Sequence, residues 1–479
     1  MKKIGIIGGG ISGLTTAFLL KNKGFNVTLI EKSERVGGNI QTVEIDGFKI
    51  EYAPNSLLKS PRLVDLIKAL KLESEVTAAN PANKKRYVLQ NGKLKSLPMS
   101  VAKMATDDYF SFKARLRLVQ EPFIRTKSPE NESVAAFFER RLGREIVERA
   151  ADPFIAGIYA GNPENLSVRA AFPRLYELEK NYGSLLVGSL RSKAEKTDKD
   201  FPRTFSFKSG VQTLTDRLAE SLGESIQTNT KVLKIEKTAN GKIAVFTERR
   251  QPAGNERDKS QMFDAEEVLR AEATLIAGRL PAFRQDFDAF VISTSAESAA
   301  NLIEHLDANL SGQLKNIYYP PIAMVFFGVK KESLEKNLDG FGFLVPSSER
   351  RRILGTIWNS AVFENRAPDG YHLLTTFVGG ARNFELFEKS DEELFQIVFE
   401  ELKGILGLRE KPDFMHVKRW QKAIPQYLLG YEKVEKSIAD FENKNEGIRF
   451  CSNFYKGISV GDCVKNAFVI ADEIESFLT

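Results

Sequence analysis

The chain opens on an unbroken apolar run, with Ile4, Ile6 and Ile7 ahead of a glycine cluster, and passes at once to helical spacing from Leu14 to Lys23 with Gly24 just beyond. Such a run predicts a strand buried on both faces, and the glycine past the last periodic residue predicts a helix end. VTLIE repeats the strand pattern up to Glu31, so the opening reads as a βαβ unit. SERVGG makes a second glycine turn, followed by IQTVEIDGFKIEYAPNSL, read as a short strand. Beyond about residue 78 the pattern changes. TAANPANKKRYVLQNGKLKSLP reads as a loop and a basic hairpin, and the stretch after it carries helix-period apolar positions with few strand signals. Strands return near residue 205: TFSFKSGVQTLTDRLAESLG predicts a strand and a helix, IQTNTKVLKIEKTANGKIAVFTE a hairpin, and DAFVIST a buried strand. Between the last two, about Glu248 to Phe287 is polar and charged, and RRQPAGNERDKSQ within it predicts a mobile loop. AMVFFGV, GFGFLVP, ILGTIWNSAVF and YHLLTTFVGG predict another β-rich region after about Ala296. The chain closes as strand, glycine turn and helix, the helix set at Asp462 to Phe477.

The spacing inside the first unit carries chemistry. Gly8, Gly10 and Gly13 form GxGxxG between strand and helix. The first makes a tight turn, the second lets the backbone approach a pyrophosphate, and the third lets helix and strand pack closely, while the helix N-terminus offers unpaired N–H groups. Glu31 lies 23 positions after Gly8, where a carboxylate holds both hydroxyls of an adenosine ribose and repels a 2′-phosphate. The pattern predicts a dinucleotide site.

Composition narrows the setting. The 479 residues, 42% hydrophobic and 28% charged, describe a folded protein of two or three domains. No run of 18 apolar residues appears, and the early first strand leaves no room for a cleavable leader, so a cytoplasmic location is expected. The net charge of +6 favours anionic ligands or anionic lipid, and nothing points to nucleic acid. Cys451 and Cys463 lack metal-ligand spacing and a disulfide framework and read as reduced core thiols. His305, His372 and His416 fall in no triad or metal spacing, so no metal is expected and no catalytic acid or base is assigned.

Arg35, Gly37 and Gly38 resemble the RxGG extension of the FAD-binding amine oxidase superfamily. DPFIAGIYAGNPENLSVRAAFPRLYELEKNYGSLLVG, FGFLVPS, LGT, TTFVGG and GISVGDCVKNAFVIADEI, with Asn453 upstream, resemble the protoporphyrinogen oxidase family over nearly the whole chain. Departures are Ser452 where glycine is usual, Ala467 where glycine is common, Asn39 after RxGG where members vary, and a longer charged stretch around 250–285. The resemblance implies an α/β fold: a Rossmann-type FAD-binding domain (1–78, 205–297 and 440–479), an inserted α-helical domain (79–204) that associates with membrane, and a mixed-sheet substrate domain (298–439).

It implies non-covalent FAD held by Gly8, Gly9, Gly10, Ile11, Ser12, Gly13, Glu31, Lys32, Arg35, Gly37, Gly38 and Asn39, by Ala53, Pro54, Asn55 and Ser56, by Val232 and Thr294, and by Asn453, Gly457, Ile458, Ser459 and Val460. Gly457 and Gly461 frame a turn before the last helix, whose free N–H groups would face the flavin's pyrimidine edge; a plain structural cap is the competing reading. Val232 matches the valine whose backbone holds the adenine, and by pattern alone it is an ordinary strand residue. The substrate implied is a porphyrinogen. Arg86 matches the family's propionate-binding arginine, although Lys84 and Lys85 beside it also fit a solvated basic hairpin. Leu344 and Ile357 match the aliphatic pair of the cleft, Phe377 its ring-packing residue, and Gly157 allows close approach of a ring or backbone; by residue type alone the first three are core strand positions.

The activity implied is the six-electron oxidation of protoporphyrinogen IX to protoporphyrin IX in haem biosynthesis, with dioxygen as acceptor and hydrogen peroxide as product. Oxidation of coproporphyrinogen III to coproporphyrin III, an amine or carotenoid oxidoreductase of the same superfamily, and a non-catalytic flavin-binding scaffold are the alternatives. Members of the family are often peripheral membrane proteins. Here Phe110, Phe112, Leu116 and Leu118 interleave with Lys113, Arg115 and Arg117, which offers apolar and cationic contact to the cytoplasmic face of a membrane; the alternation equally fits an ordinary surface strand or helix. A homodimer is left open.

Overall fold

The opening apolar run, Lys3–Ile7, is the central strand of five in a parallel sheet, ordered Ile226–Gln227, Asn26–Ile30, Lys3–Ile7, Ala289–Ile292, Ile448–Phe450. The computed structural model describes residues 1–81, 84–192, 198–249 and 283–479. Ile4, Ile6, Leu29, Ile30, Phe290 and Val291 are wholly buried because both faces of the sheet are covered, which is why these strands do not alternate. Helices Ile11–Asn22, Pro61–Ala69, Gln212–Leu222 and Val460–Leu478 cover one face. The antiparallel strands Thr230–Lys237, Ile243–Arg249 and Phe283–Phe287, with helix Ala296–Ile303, cover the other. Ala467 is part of the first of these cores and wholly buried, so its methyl group fits where glycine is common.

Several boundaries differ from the sequence reading for local reasons. The first helix begins at Ile11, not Leu14, because extended Gly10 is its N-cap. The last begins at Val460, not Asp462: the Ser459 hydroxyl accepts from the Asp462 N–H while the Asp462 carboxylate accepts from the Ser459 N–H, a capping box that places Gly461 in the first turn. IQTVEIDGFKIEYAPNSL is no single strand but a hairpin, Gln41–Ile45 with Phe48–Ala53, turned by Asp46-Gly47, both at positive φ. The residues from 112 form a helix, Phe112–Gln120, whose Phe112, Leu116 and Val119 are exposed while Ala114 and Leu118 are buried; Phe110 is also core. Most of the charged stretch, 250–282, lies outside the described residues, and Phe283–Phe287 at its end pairs with Ile243–Arg249.

A seven-stranded sheet runs Phe414–Trp420, Ile322–Lys330, Tyr371–Gly379, Ile353–Ile357, Gly340–Leu344, Lys85–Gln90, Lys93–Ser96. Its last two strands are the basic hairpin, which joins Gly340–Leu344 in parallel and so belongs to this sheet although it lies inside 79–204. At the other expected boundary, helix Tyr431–Lys444 runs unbroken through 439 and 440. Helices from Val101–Thr106 to Leu185–Arg191 pack beside this sheet and carry the segment that contains Gly157.

Candidate active site

A cleft of about 2670 Å³ borders both the carboxyl ends of the parallel strands and the seven-stranded sheet, well above the roughly 300–1,000 Å³ of a single small-ligand pocket. At its nucleotide end the glycines divide their work as their spacing requires. Gly8 has φ 102°, and a Cβ on Gly13 would run into the Gly8 carbonyl oxygen, whereas a Cβ on Gly10 would meet nothing within 4 Å. The wall is therefore open at Gly10. Gly10 gives the helix that starts there no side-chain cap, and Ile11 and Ser12 border the cleft, which leaves first-turn N–H groups available to an anion. The RxGG turn is bonded to this one: the Gly37 N–H donates to the Gly9 carbonyl at 2.7 Å, and a Cβ on Gly38 would lie 3.1 Å from the Gly10 Cα. A tight glycine cradle with open N–H donors fits a pyrophosphate.

Glu31 stands at its edge, its carboxylate accepting from the Gly9 N–H at 2.7 Å and the Ser33 N–H at 2.9 Å. Those bonds fix its orientation and leave lone pairs for a ribose. Arg35 differs from expectation. Its guanidinium donates to the Val36 and Gly38 carbonyls at 2.9 and 2.7 Å, so it braces the turn from behind instead of bordering the cleft. Val232 does border it, at a bulge where pairing jumps from Val232–Thr247 to Lys234–Phe246, which disrupts the ladder beside its backbone. Ser452 explains its own departure from glycine: its hydroxyl donates to the Thr294 carbonyl at 2.7 Å and ties Thr294 to the Asn453 turn. The buried Tyr427 hydroxyl donates to the Asn453 carbonyl at 2.7 Å and accepts from the Gly457 N–H at 3.0 Å. Gly9, Gly13, Arg35 and Gly457 stand behind the wall, and the other residues expected for cofactor or substrate all border this cleft.

Directly opposed residues on a sheet share a face. Across the seven-stranded sheet one row reads Lys418, Met324, Phe377, Gly355, Leu344, and the next His416, Phe326, Thr375, Ile357, Gly342. Leu344, Ile357 and Phe377 are thereby brought together as an apolar floor. Gly157, in helix Asp152–Tyr159, is passed so closely by Leu344 that a Cβ would lie 2.5 Å from its Cδ2; the room it provides is taken by Leu344 itself. That helix is anchored through Asp152, which accepts from the Arg382 guanidinium and from the Ser347 N–H at 2.7 Å. Strand alternation separates the basic hairpin residues. Lys85 pairs with Asp339 at 2.6 Å, while Arg86 lies over the Phe341 ring, 3.8 Å from its centroid, at the cleft wall. Among the described residues no carboxylate pairs with Arg86, and burial, then the neighbouring Arg203, lower its pKa.

Two networks had no signature in the sequence because their members are far apart. The Thr375 hydroxyl donates to Asn359 Oδ1 at 2.7 Å and Asn359 Nδ2 donates to Asn55 Oδ1 at 2.7 Å, which fixes the Asn55 amide at the cleft. Tyr52 also borders the cleft, and its hydroxyl lies 2.9 Å from His416 Nε2, 364 positions away. Burial lowers the His416 pKa and raises that of Tyr52. Cys451 and Cys463 are free and buried.

Residues 11–474 match the model of the flavin containing amine oxidoreductases. The chain belongs to that family. As a flavin containing amine oxidoreductase it is an FAD-dependent oxidoreductase, and the glycine cradle, Glu31 and the Asn453 to Val460 turn are the groups that would hold the cofactor. It is 31% identical to protoporphyrinogen oxidase 2, chloroplastic/mitochondrial, of Arabidopsis thaliana, over all of this chain and 94% of that protein. It is 28% identical to coproporphyrinogen III oxidase of Bacillus subtilis, over all of this chain and 98% of that protein. A solved structure from Exiguobacterium sp. 255-15, described as a candidate protoporphyrinogen oxidase, shares the fold with a TM-score of 0.76 at 24% identity, 99% of each chain being covered.

Proposed function

We propose that this protein oxidises protoporphyrinogen IX to protoporphyrin IX. The observation that carries the reading is a half-buried guanidinium, Arg86, without a carboxylate partner among the described residues, on the wall of an apolar cleft continuous with the FAD cradle. Leu344, Ile357 and Phe377 give the flexible macrocycle an apolar floor, and Arg86 takes a propionate by charge-assisted hydrogen bonds. FAD, when bound, would supply the two-electron acceptor, with dioxygen as the final acceptor and hydrogen peroxide as product, and three rounds would remove six electrons. The protein's own part is to seat the ring against the floor, hold its carboxylates at the rim, and keep water from the reacting carbon. The names of the relatives support this chemistry. The test is anaerobic: mixing the holoenzyme with protoporphyrinogen bleaches the oxidised flavin band within the turnover time. A flavin left oxidised overturns the proposal.

A tetracarboxylate porphyrinogen is the second reading. Arg174 also borders the cleft and Arg203 lies close enough to act on Arg86, so the rim has cations for more than one carboxylate.

Peripheral membrane contact forms part of the same proposal, on the cytoplasmic face. No helix among the described residues is long and apolar enough to cross a membrane. Phe112, Leu116 and Val119 are exposed along one helix face, followed by Phe123 at 81% exposure, with Lys113 among them. Such a face suits anionic headgroups, and co-sedimentation with phosphatidylglycerol vesicles, lost on Phe112→Ser with Phe123→Ser, is the expected result.

A further inference from the structure

Each two-electron oxidation of a porphyrinogen, the reading on which this inference rests, removes a hydride from a meso carbon and obliges a pyrrole N–H proton to leave. The acceptor of that proton is unassigned. Among the described residues the acids that border the cleft, Glu31 and Glu177 among them, lie outside its strands. Among the described residues four tyrosines border the cleft, Tyr52, Tyr87, Tyr182 and Tyr319. The Tyr87 hydroxyl donates to Asp339 at 2.6 Å, Tyr319 packs against the core beside the parallel sheet, and Tyr52 is the one bonded to an imidazole, that of His416.

We propose that Tyr52 and His416 form the proton-accepting pair of this cleft, Tyr52 taking the pyrrole proton while its own hydroxyl proton passes to His416 Nε2. The distance between the two is 2.9 Å and their rings stack at 15°, which suits direct transfer. Tyr52 is on the cleft side. His416 lies behind it on Phe414–Trp420, the edge strand of the sheet, and is only half buried, so its proton exchanges with solvent. In each cycle the meso C–H bond breaks with its electron pair going to the flavin oxidant. The N–H bond breaks with its pair kept by the ring, which gains a double bond, and the proton reaches water by way of His416; once the cycles are complete, a proton shift from the remaining meso CH2 to a pyrrole nitrogen gives the porphyrin. A weak base is sufficient, because the ring is cationic once the hydride has left and its N–H is acidic.

The surroundings keep the imidazole neutral and able to accept. Burial is the main cause, Lys418 adds to it, and Asp391 opposes it while bound to Arg419. Lys418 Nζ lies 4.8 Å from the Tyr52 ring centroid. Phe326 packs on both rings, and Glu51, next to Tyr52 in the chain, is engaged by Arg366 and Thr42.

The test uses the FAD-loaded full chain with Tyr52→Phe and His416→Gln. Both variants are expected to keep their flavin and a KM within about twofold. Their kcat should fall about tenfold to hundredfold, at or below the usual lower end for general-base groups because the proton is already acidic. The acid limb of the parent's kcat profile, set by His416 below the ordinary histidine range, disappears in His416→Gln. A second readout is independent of turnover: in Tyr52→Phe the ¹⁵N-imidazole titration of His416 moves to higher pH, because the phenol no longer donates to Nε2. Unchanged kcat with the acid limb retained, or a His416 titration indifferent to Tyr52, overturns the inference. A parent enzyme that oxidises no porphyrinogen overturns the functional reading and this one with it, and is seen before any variant is made.

Discussion

Arg86 tests the substrate reading at one side chain. Replacing it by Met keeps an apolar stem over Phe341 and removes only the charge and the donors. A hydrogen bond to a charged group contributes about 1.5–3 kcal/mol, and about 1.4 kcal/mol is tenfold in affinity. The side chain is half buried, so part of that is screened. The expected rise in KM for protoporphyrinogen is therefore about tenfold, with kcat little changed and flavin content equal to the parent's. Stability moves the other way. A partly buried guanidinium with no carboxylate opposes folding, so the melting temperature of Arg86→Met should be unchanged or raised. Arg86→Lys, which keeps a charge but not the planar fork, should fall between. Initial rates by porphyrin fluorescence, with flavin absorbance on the same samples, measure all of this. A KM within about twofold of the parent at full flavin occupancy refutes the argument that this cation is held for a carboxylate.

Further outcomes follow from the anchors of the site. Gly13→Ala should yield protein with little FAD, read from the ratio of flavin to protein absorbance, because the new methyl group meets the Gly8 carbonyl in the turn that receives the pyrophosphate. Asp152→Ala leaves Arg382 without its carboxylate in a mostly buried position and should cost about 3 kcal/mol in urea unfolding, with a higher KM because the same helix carries Gly157. Glu442 has its pKa pushed up from 4.5 to about 7, chiefly by burial. The folded state thus holds that proton more tightly than the unfolded chain, and the contribution is fully present below about pH 4.5 and lost as pH rises through about 7, on the order of 3 kcal/mol. Glu442→Gln keeps an acceptor for the Phe450 N–H, so its stability relative to the parent should improve between pH 5 and pH 8. A constant difference refutes that assignment.

What the sequence made legible was set by local geometry. The glycine cradle is written in the chain because turn, close approach and helix start all fall within six residues, Gly8 to Gly13, and each glycine meets a different obstacle or none. The apolar floor was legible only through resemblance, since Leu344, Ile357 and Phe377 share a face by pairing across three strands, a relation that strand pattern alone does not encode. The hairpin at Asp46-Gly47 differs from the single short strand expected there, although its turn signal is local: both turn residues take positive φ. Tyr52–His416, Thr375–Asn359–Asn55, Asp152–Arg382 and Tyr427 were missed for a physical reason. Most of these join segments far apart in the chain, and polar side chains in strands are indistinguishable from solvated ones until the partner strand is placed. Arg35 shows the converse: a motif residue expected to hold the cofactor, whose side chain supports the turn instead of facing the cleft.

The central claim is that this cleft oxidises a porphyrinogen, and the direct measurement compares freshly reduced protoporphyrinogen and coproporphyrinogen, each mixed in air with the FAD-loaded protein, against their enzyme-free rates. The account predicts an accelerated rise of porphyrin fluorescence with preference for protoporphyrinogen. Preference for the tetracarboxylate would transfer the assignment to coproporphyrinogen and give Arg174 and Arg203 the decisive role, and no acceleration of either substrate at full flavin occupancy would contradict the account.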